Sequence, residues 1–340
     1  LCYNELKQKD LPQRAQSFLN HYAKAFPTSE LHDMVRLMAA ENLFSSNPAD
    51  AARFYASIDF DKVPPKMRAD ILYKSAWAIA QAGNRGVAAK LLTDFINDFP
   101  KDPRICEALT LRGDMYAKTK KEAEALMDFD RVIARWPKAE SAAAAWQRAA
   151  QIYAGRQDMA NMAKYYEGLI QNFPKASPAA LAEAHFLLGR AAFDQGDFKS
   201  SISHMAEAKT LDPQKYGEQV NVLSVLSYHK LQDVNKLKEA LETLQKENPS
   251  AVARVPDVIP AWLGLQAYGM KDLETADKYM TWATQNDQLQ NVKKVIWRNL
   301  AKVRLALRKY DRALVASNNF LKDEDQPCLL YTSDAADDLI

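Results

Sequence analysis

Acid–base chemistry and metal ligation near neutral pH fall first to imidazole, and this chain has five: His21, His32, His185, His204 and His229. None sits in an HExxH arrangement and no two stand at i and i+4, so no helix face presents the paired ligands of a metalloprotease. His185 and His204 could approach each other across one helical hairpin; two partly exposed helix residues is the plainer reading. Asp and Glu are plentiful but scattered, as on solvated helix faces, and no isolated pair stands out as acid and base. The ten glycines form neither GxGxxG nor GxxxxGK, and there is no GxSxG turn. The sequence therefore assigns no catalytic residue, no cofactor and no metal, and an active site would have to be one that motifs do not reveal.

Cys2, Cys106 and Cys328 show no CxxC or metal-ligand spacing. Cys106 falls on a helical apolar face, where a small buried hydrophobe is the expected role. Lys118, Lys120 and Lys121 cluster at a turn and Asp323-Glu324-Asp325 follows a helix; both read as solvated loops. With 45 basic against 43 acidic residues the formal charge is +2, and no Lys/Arg stripe could neutralise a phosphate backbone, so nucleic acid is not an expected partner. The longest mostly apolar stretch, near Ile259 to Met270, is shorter than the roughly 20 residues that span a bilayer.

Any functional side chains must be carried by the elements that a strong internal rhythm implies. Prolines recur at Pro27, Pro64, Pro100, Pro137, Pro174, Pro213 and Pro249, with spacings of 37, 36, 37, 37, 39 and 36. Each is expected to stop the second helix of a pair and reset the chain for the next. Between them, Gly113, Gly189, Gly264, Ala76 and Ala150 stand where the first helix must approach the second closely. Gly83 and Gly196 fall where a first helix ends and a left-handed residue is needed. Tyr116, Phe129, Trp146, Tyr153 and Tyr166 recur at helical spacing and are expected to fill the seams.

Residues 180–213, ALAEAHFLLGRAAFDQGDFKSSISHMAEAKTLDP, resemble the tetratricopeptide unit at Leu188-Gly189, Gly196-Asp197-Phe198, Ala208 and Pro213. The same positions recur through residues 11–322 with a period just above the 34 residues of that family. The resemblance implies an all-α fold, a right-handed α-α superhelix of about eight helix-turn-helix repeats, forming one solenoid over residues 1–327. It also implies that outward residues on first helices line a groove for a protein or peptide partner of unknown identity. By position these are Tyr73 and Trp77, Asp114 and Lys118, Gln147 and Gln151, Phe186, Arg190 and Asp194, His229, and Arg298 with Lys302. Tyr73 and Trp77 would be aromatic anchors, unless both pack against the next repeat. The family's Lys/Asn carboxylate clamp is absent at these positions, which speaks against an adaptor for chaperone tails.

Repeats ending in Phe-Pro-Lys before an Ala-rich helix are similar to those of bacterial envelope repeat proteins, so a periplasmic location is favoured over the cytoplasm. The expected role is a non-enzymatic interaction scaffold; the alternative is the repeat region of a larger enzyme or signalling protein. The chain opens at Leu1, and apolar Leu314, Val315 and Phe320 mark its last helix, so it is expected to be truncated at both ends. Residues 328–340 resemble the in-frame translation of a sequencing-library adapter and are expected to be a non-native tail.

Overall fold

The computed structural model describes residues 11–27, 29, 31–285 and 290–322, and in these residues the protein is all-α with no strand. Cys2, the acidic run at 323–325 and the tail at 328–340 lie outside the described residues. The chain forms two compact units, one up to Ala180 and one from Leu181 onward. In the first, α1 (Leu11–Ala25) precedes four hairpins: α2/α3 (His32–Phe44, Pro48–Tyr55), α4/α5 (Pro65–Gln81, Arg85–Asp98), α6/α7 (Ile105–Lys118, Glu122–Arg135) and α8/α9 (Glu140–Gly155, Met159–Asn172). The second unit begins within α10 (Pro178–Asp194), whose partner is α11 (Phe198–Leu211). It continues as α12/α13 (Pro213–Lys230, Val234–Glu247), α14/α15 (Val258–Gly269, Leu273–Ala283) and α16/α17 (Gln290–Ala306, Tyr310–Lys322). The described residues thus hold eight hairpins, each stacked within its unit so that one hairpin's second helix packs on the next one's first, as α5 on α6 and α13 on α14.

A single local device builds most of the hairpins. Every first-to-second turn is three residues long, and in seven of the eight the middle residue has positive φ: Gly83, Lys120, Gln157, Gly196, Gln232, Lys271 and Arg308. The N–H of that residue and of the one after it bond back into the helix just ended, as Gly83 to the Ala80 carbonyl and Asn84 to that of Ile79. Glycine takes this conformation without strain, so Gly83 (φ 87°) and Gly196 (φ 83°) end their helices as the sequence implies. The third turn residue then caps the following helix. Asn84, Asp158, Asp197, Asp233 and Asp272 each accept a hydrogen bond from the backbone N–H three residues on.

Two hairpins put lysine at that cap, and the contrast is testable. Lys121 precedes α7 with no acceptor for its orphan N–H groups. Lys121→Asp is expected to raise stability by about 1 kcal/mol, read as a higher urea midpoint. At the equivalent Lys309, Nζ lies 2.9 Å from both Glu274 Oε2 and Asp277 Oδ2. Lys309→Asp there is expected to lower the midpoint.

The prolines do not all act as helix stops. Pro27, Pro100, Pro137 and Pro174 stand in turns just past a helix. Pro213 instead is the first residue of α12, Pro249 opens the 3-10 segment Pro249–Arg254, and Pro64 immediately precedes α4. At the first helical position the missing N–H would have no partner and φ is already helical, so proline starts a helix as readily as it follows one.

The seams follow the small residues. A Cβ on Gly113 would lie 2.6 Å from the Phe129 ring, and one on Gly264 2.7 Å from Met280 Cγ. Gly168, which the repeat pattern does not single out, is equally tight: a Cβ there would meet the Trp146 ring at 2.5 Å. Ala76, Ala150, Phe129 and Tyr166 are fully buried, whereas Tyr116, Trp146 and Tyr153 are only half-buried. Cys106 is also half-buried rather than part of the core, its Sγ accepting from Ser141 Oγ at 3.8 Å.

Candidate partner-binding surface

In the first unit the first helices touch one another, α8 on α6 and α6 on α4, so their outward residues share one layer. Tyr73 on α4 is absorbed into a joint of that layer. Its hydroxyl donates to Glu107 Oε2 at 3.0 Å, its ring packs on Phe95 at 5.4 Å, and the Arg104 guanidinium lies 4.9 Å from the ring centroid. Burial and the neighbouring Glu107 carboxylate push its phenol well above the usual range. Arg104 in turn bonds Asp70 Oδ1 at 2.8 Å and Asp102. Trp77 packs at 5.1 Å on Phe44, in the preceding hairpin rather than the next one. Both aromatics therefore serve the joints between hairpins.

Further along the layer the structure gathers several of the expected residues around one that sequence reasoning missed. Arg148 on α8 pairs with Asp114 Oδ1 on α6 at 3.2 Å and donates to Gln151 Oε1 at 3.1 Å. Burial raises the Asp114 carboxyl above its ordinary value, against the pull of Arg148 and Lys118. Lys118 is exposed and Gln147 half-buried. The signal for Arg148 was its register: opposite charges one repeat apart recur along the chain. Lys74–Glu41, Arg104–Asp70, Arg156–Glu122, Lys238–Asp272 and Lys278–Glu242 are all such pairs, at offsets of 33 to 36 residues. Most are too exposed to stabilise by more than about 1 kcal/mol each, but they hold register between hairpins.

In the second unit the expected residues differ in exposure. Phe186 is buried, with its ring stacked on Tyr216 at 4.7 Å, because Ala182, Phe186 and Gly189 form one apolar stripe of α10. Arg190 and Asp194, four residues apart on α10, are exposed. His229 is half-buried and edge-on to Trp262 at 5.3 Å; burial first, then Lys230, lowers its pKa. Arg298 on α16 is exposed and Lys302 half-buried.

A cleft of about 600 Å³ opens in the first unit where α8 and the end of α9 meet the connection 173–177. Ala143, Ala144, Leu169 and Phe173 form apolar walls, and Lys138, Glu140, Gln147 and Lys175 stand at its polar edge. Of the expected site residues, Gln147 alone lines it. The sequence does carry a hint in its run Ala142-Ala143-Ala144-Ala145. Helical periodicity puts only Ala142 and Ala145 in the core, leaving the other two partly exposed. Among the described residues no three His, Cys, Asp or Glu converge as a metal site, and no helix is long and apolar enough to cross a membrane.

Tetratricopeptide-repeat family models match residues 70–102, 144–176 and 182–215, which fall on α4/α5, α8/α9 and α10/α11. A comparison with curated proteins returns no match. Among solved structures, the C-terminal part of a TPR repeat-containing protein from Cytophaga hutchinsonii is similar at 14% identity, covering 82% of this chain and 99% of that one with a TM-score of 0.50. A tetratricopeptide repeat protein from Parabacteroides merdae is 13% identical, covering 80% of this chain and 96% of that one, TM-score 0.43. MamA from Desulfovibrio magneticus is 18% identical, covering 53% and 97%, TM-score 0.40. Hairpins with close-approach glycines, a repeated turn and matched repeat models in both units lead to one conclusion: this chain carries tetratricopeptide repeats.

Proposed function

We propose that the chain is a non-enzymatic protein-interaction scaffold whose first unit holds a peptide segment of a partner protein on the first-helix layer, with an anchor in the cleft beside α8. Repeats of this family generally bind proteins and do no chemistry of their own. The observation that carries the finer reading is the cleft itself: about 600 Å³ is ample for one large side chain, and its apolar walls and polar edge match an anchor with flanking backbone. Lys138 and Lys175 at the edge favour a peptide with an acidic residue next to an apolar anchor. The Asp114–Arg148–Gln151 cluster offers hydrogen-bonding groups farther along the same layer. Exposed Arg190, Asp194 and Arg298 extend the proposal to first helices of the second unit.

Panning a phage-displayed peptide library against the chain tests this directly. Enriched peptides are expected to pair an apolar residue with Asp or Glu. Ala144→Trp, which fills the cleft from a half-exposed position, is expected to weaken their binding roughly tenfold or more. Equal binding to the parent and to Ala144→Trp would remove the cleft from the proposal.

A further inference from the structure

We propose that His185 and His204 form a two-imidazole chelate for a divalent transition-metal ion of the copper(II) or nickel(II) class. His185 lies on α10 and His204 on α11, within the second unit, and their Nδ1 atoms are 3.0 Å apart. The ring centroids are 5.2 Å apart with the planes tilted by 44°. Both residues are half-buried, so the pair is held by packing yet open to an ion from solvent. The close approach is built into the hairpin: a Cβ on Gly189 would stand 3.1 Å from His204 Cβ, so the glycine is what lets α11 come this near.

The separation is close to a chelating one. Metal–imidazole bonds of about 2.0–2.1 Å set their nitrogens about 2.9 Å apart at a right angle and about 3.3 Å apart at the tetrahedral angle. The observed 3.0 Å is nearer the right angle of adjacent ligands in tetragonal copper(II) and nickel(II) sites. Without an ion, one hydrogen must lie between the two Nδ1 atoms, since two bare lone pairs or two N–H groups would repel. Binding replaces that hydrogen. The donor ring moves its hydrogen from Nδ1 to Nε2, both Nδ1 lone pairs swing roughly 45° off the line between them to meet the ion, and a neutral pair loses no net proton. Burial and the adjoining His204 hold the His185 pKa below its ordinary value, which leaves a neutral imidazole for an ion, while the Glu207 carboxylate, one turn beyond His204 on α11, acts in the opposite direction. No third protein ligand converges among the described residues, so water completes the coordination and the ion exchanges.

The test uses the full chain without a histidine tag, titrated calorimetrically with copper(II), nickel(II) and zinc(II) chlorides at pH 7.5. One equivalent of copper is expected to bind, and His185→Gln or His204→Gln should each weaken that equivalent roughly tenfold or more. Lowering the pH to 5.5 should weaken it in the parent as protons compete for the imidazoles. An independent reading comes from NMR of the parent chain. Substoichiometric copper should broaden the imidazole signals of His185 and His204 before those of His21, His32 and His229. Unchanged titrations in both variants, zinc binding more tightly than copper, or another histidine broadening first would each overturn the proposal.

Discussion

Gly264→Val is expected to destabilise the second unit by about 3 kcal/mol or more, at the top of the range for overpacked cores. The reason lies in what stands opposite. At Gly113 and Gly168 an added methyl would meet a ring, which can tilt aside. At Gly264 it would meet Met280 Cγ at 2.7 Å and also the Met280 backbone nitrogen at 2.9 Å, and the backbone of α15 cannot yield without moving the helix. Gly264 is itself buried beside Leu263, Ala267 and Met280, so the disturbance enters the core of the α14/α15 hairpin. The control is Gly217, buried in α12, where an added methyl would have nothing within 4 Å. Gly217→Ala is expected to stabilise by up to about 1 kcal/mol, because alanine has less backbone freedom to lose on folding. Urea unfolding followed by tryptophan fluorescence, with Trp77, Trp136 and Trp146 replaced by Phe so that only Trp262, Trp282 and Trp297 emit, reads the second unit. A Gly264→Val midpoint equal to the parent's would show that the helices are not in the contact described.

Asp277→Ala should be comparably severe, at about 3–5 kcal/mol, because it strands a buried cation. Arg304 and Asp277 side chains are 8% and 9% exposed and meet at 2.8 Å, with Lys309 on the second carboxylate oxygen at 2.9 Å. Arg304 also donates to Thr281 Oγ1 and to the Arg312 carbonyl, so the carboxylate is the charge at the centre of a joint between α15, α16 and the start of α17. Asp277→Leu combined with Arg304→Met, which removes both charges of the Arg304 pair, is expected to recover much of the loss. Burial alone would raise the Asp277 carboxyl, but the bonds from Lys309 and Arg304 prevail and hold it below its ordinary value. Its contribution is therefore full above the unfolded carboxylate range near about pH 4 and fades as pH falls through the lower folded value. The stability gap between the parent and Asp277→Asn, followed from pH 7 to pH 2, should accordingly narrow only at the acid end.

The helical hairpins were readable from the sequence because their determinants are local. Gly83 and Gly196 announce a left-handed residue where a first helix ends. The turns at Lys120, Gln157, Gln232, Lys271 and Arg308 were harder to see, since each uses a residue other than glycine that takes positive φ only because the packed helices on either side hold it. Site residues were less accessible for a different reason. A position on a first helix says which side chains point away from its own hairpin, but not which are taken up by a neighbour. Tyr73, Trp77 and Phe186 all satisfy the positional rule, and all three make ring contacts with neighbouring aromatics that the rule does not foresee. Arg148 and the half-exposed Ala143 and Ala144 follow from comparing one repeat with the next, a relation invisible within a single unit.

The turns inside hairpins never vary from three residues, while the connections between hairpins range from Asp212 alone to the ten residues 248–257. An extra residue inside a hairpin would displace the left-handed position from its cap and fray two helices at once, whereas one added between hairpins leaves both intact. It would change only how far one hairpin leans on its neighbour. Such junctions are natural dials for the pitch of each stack.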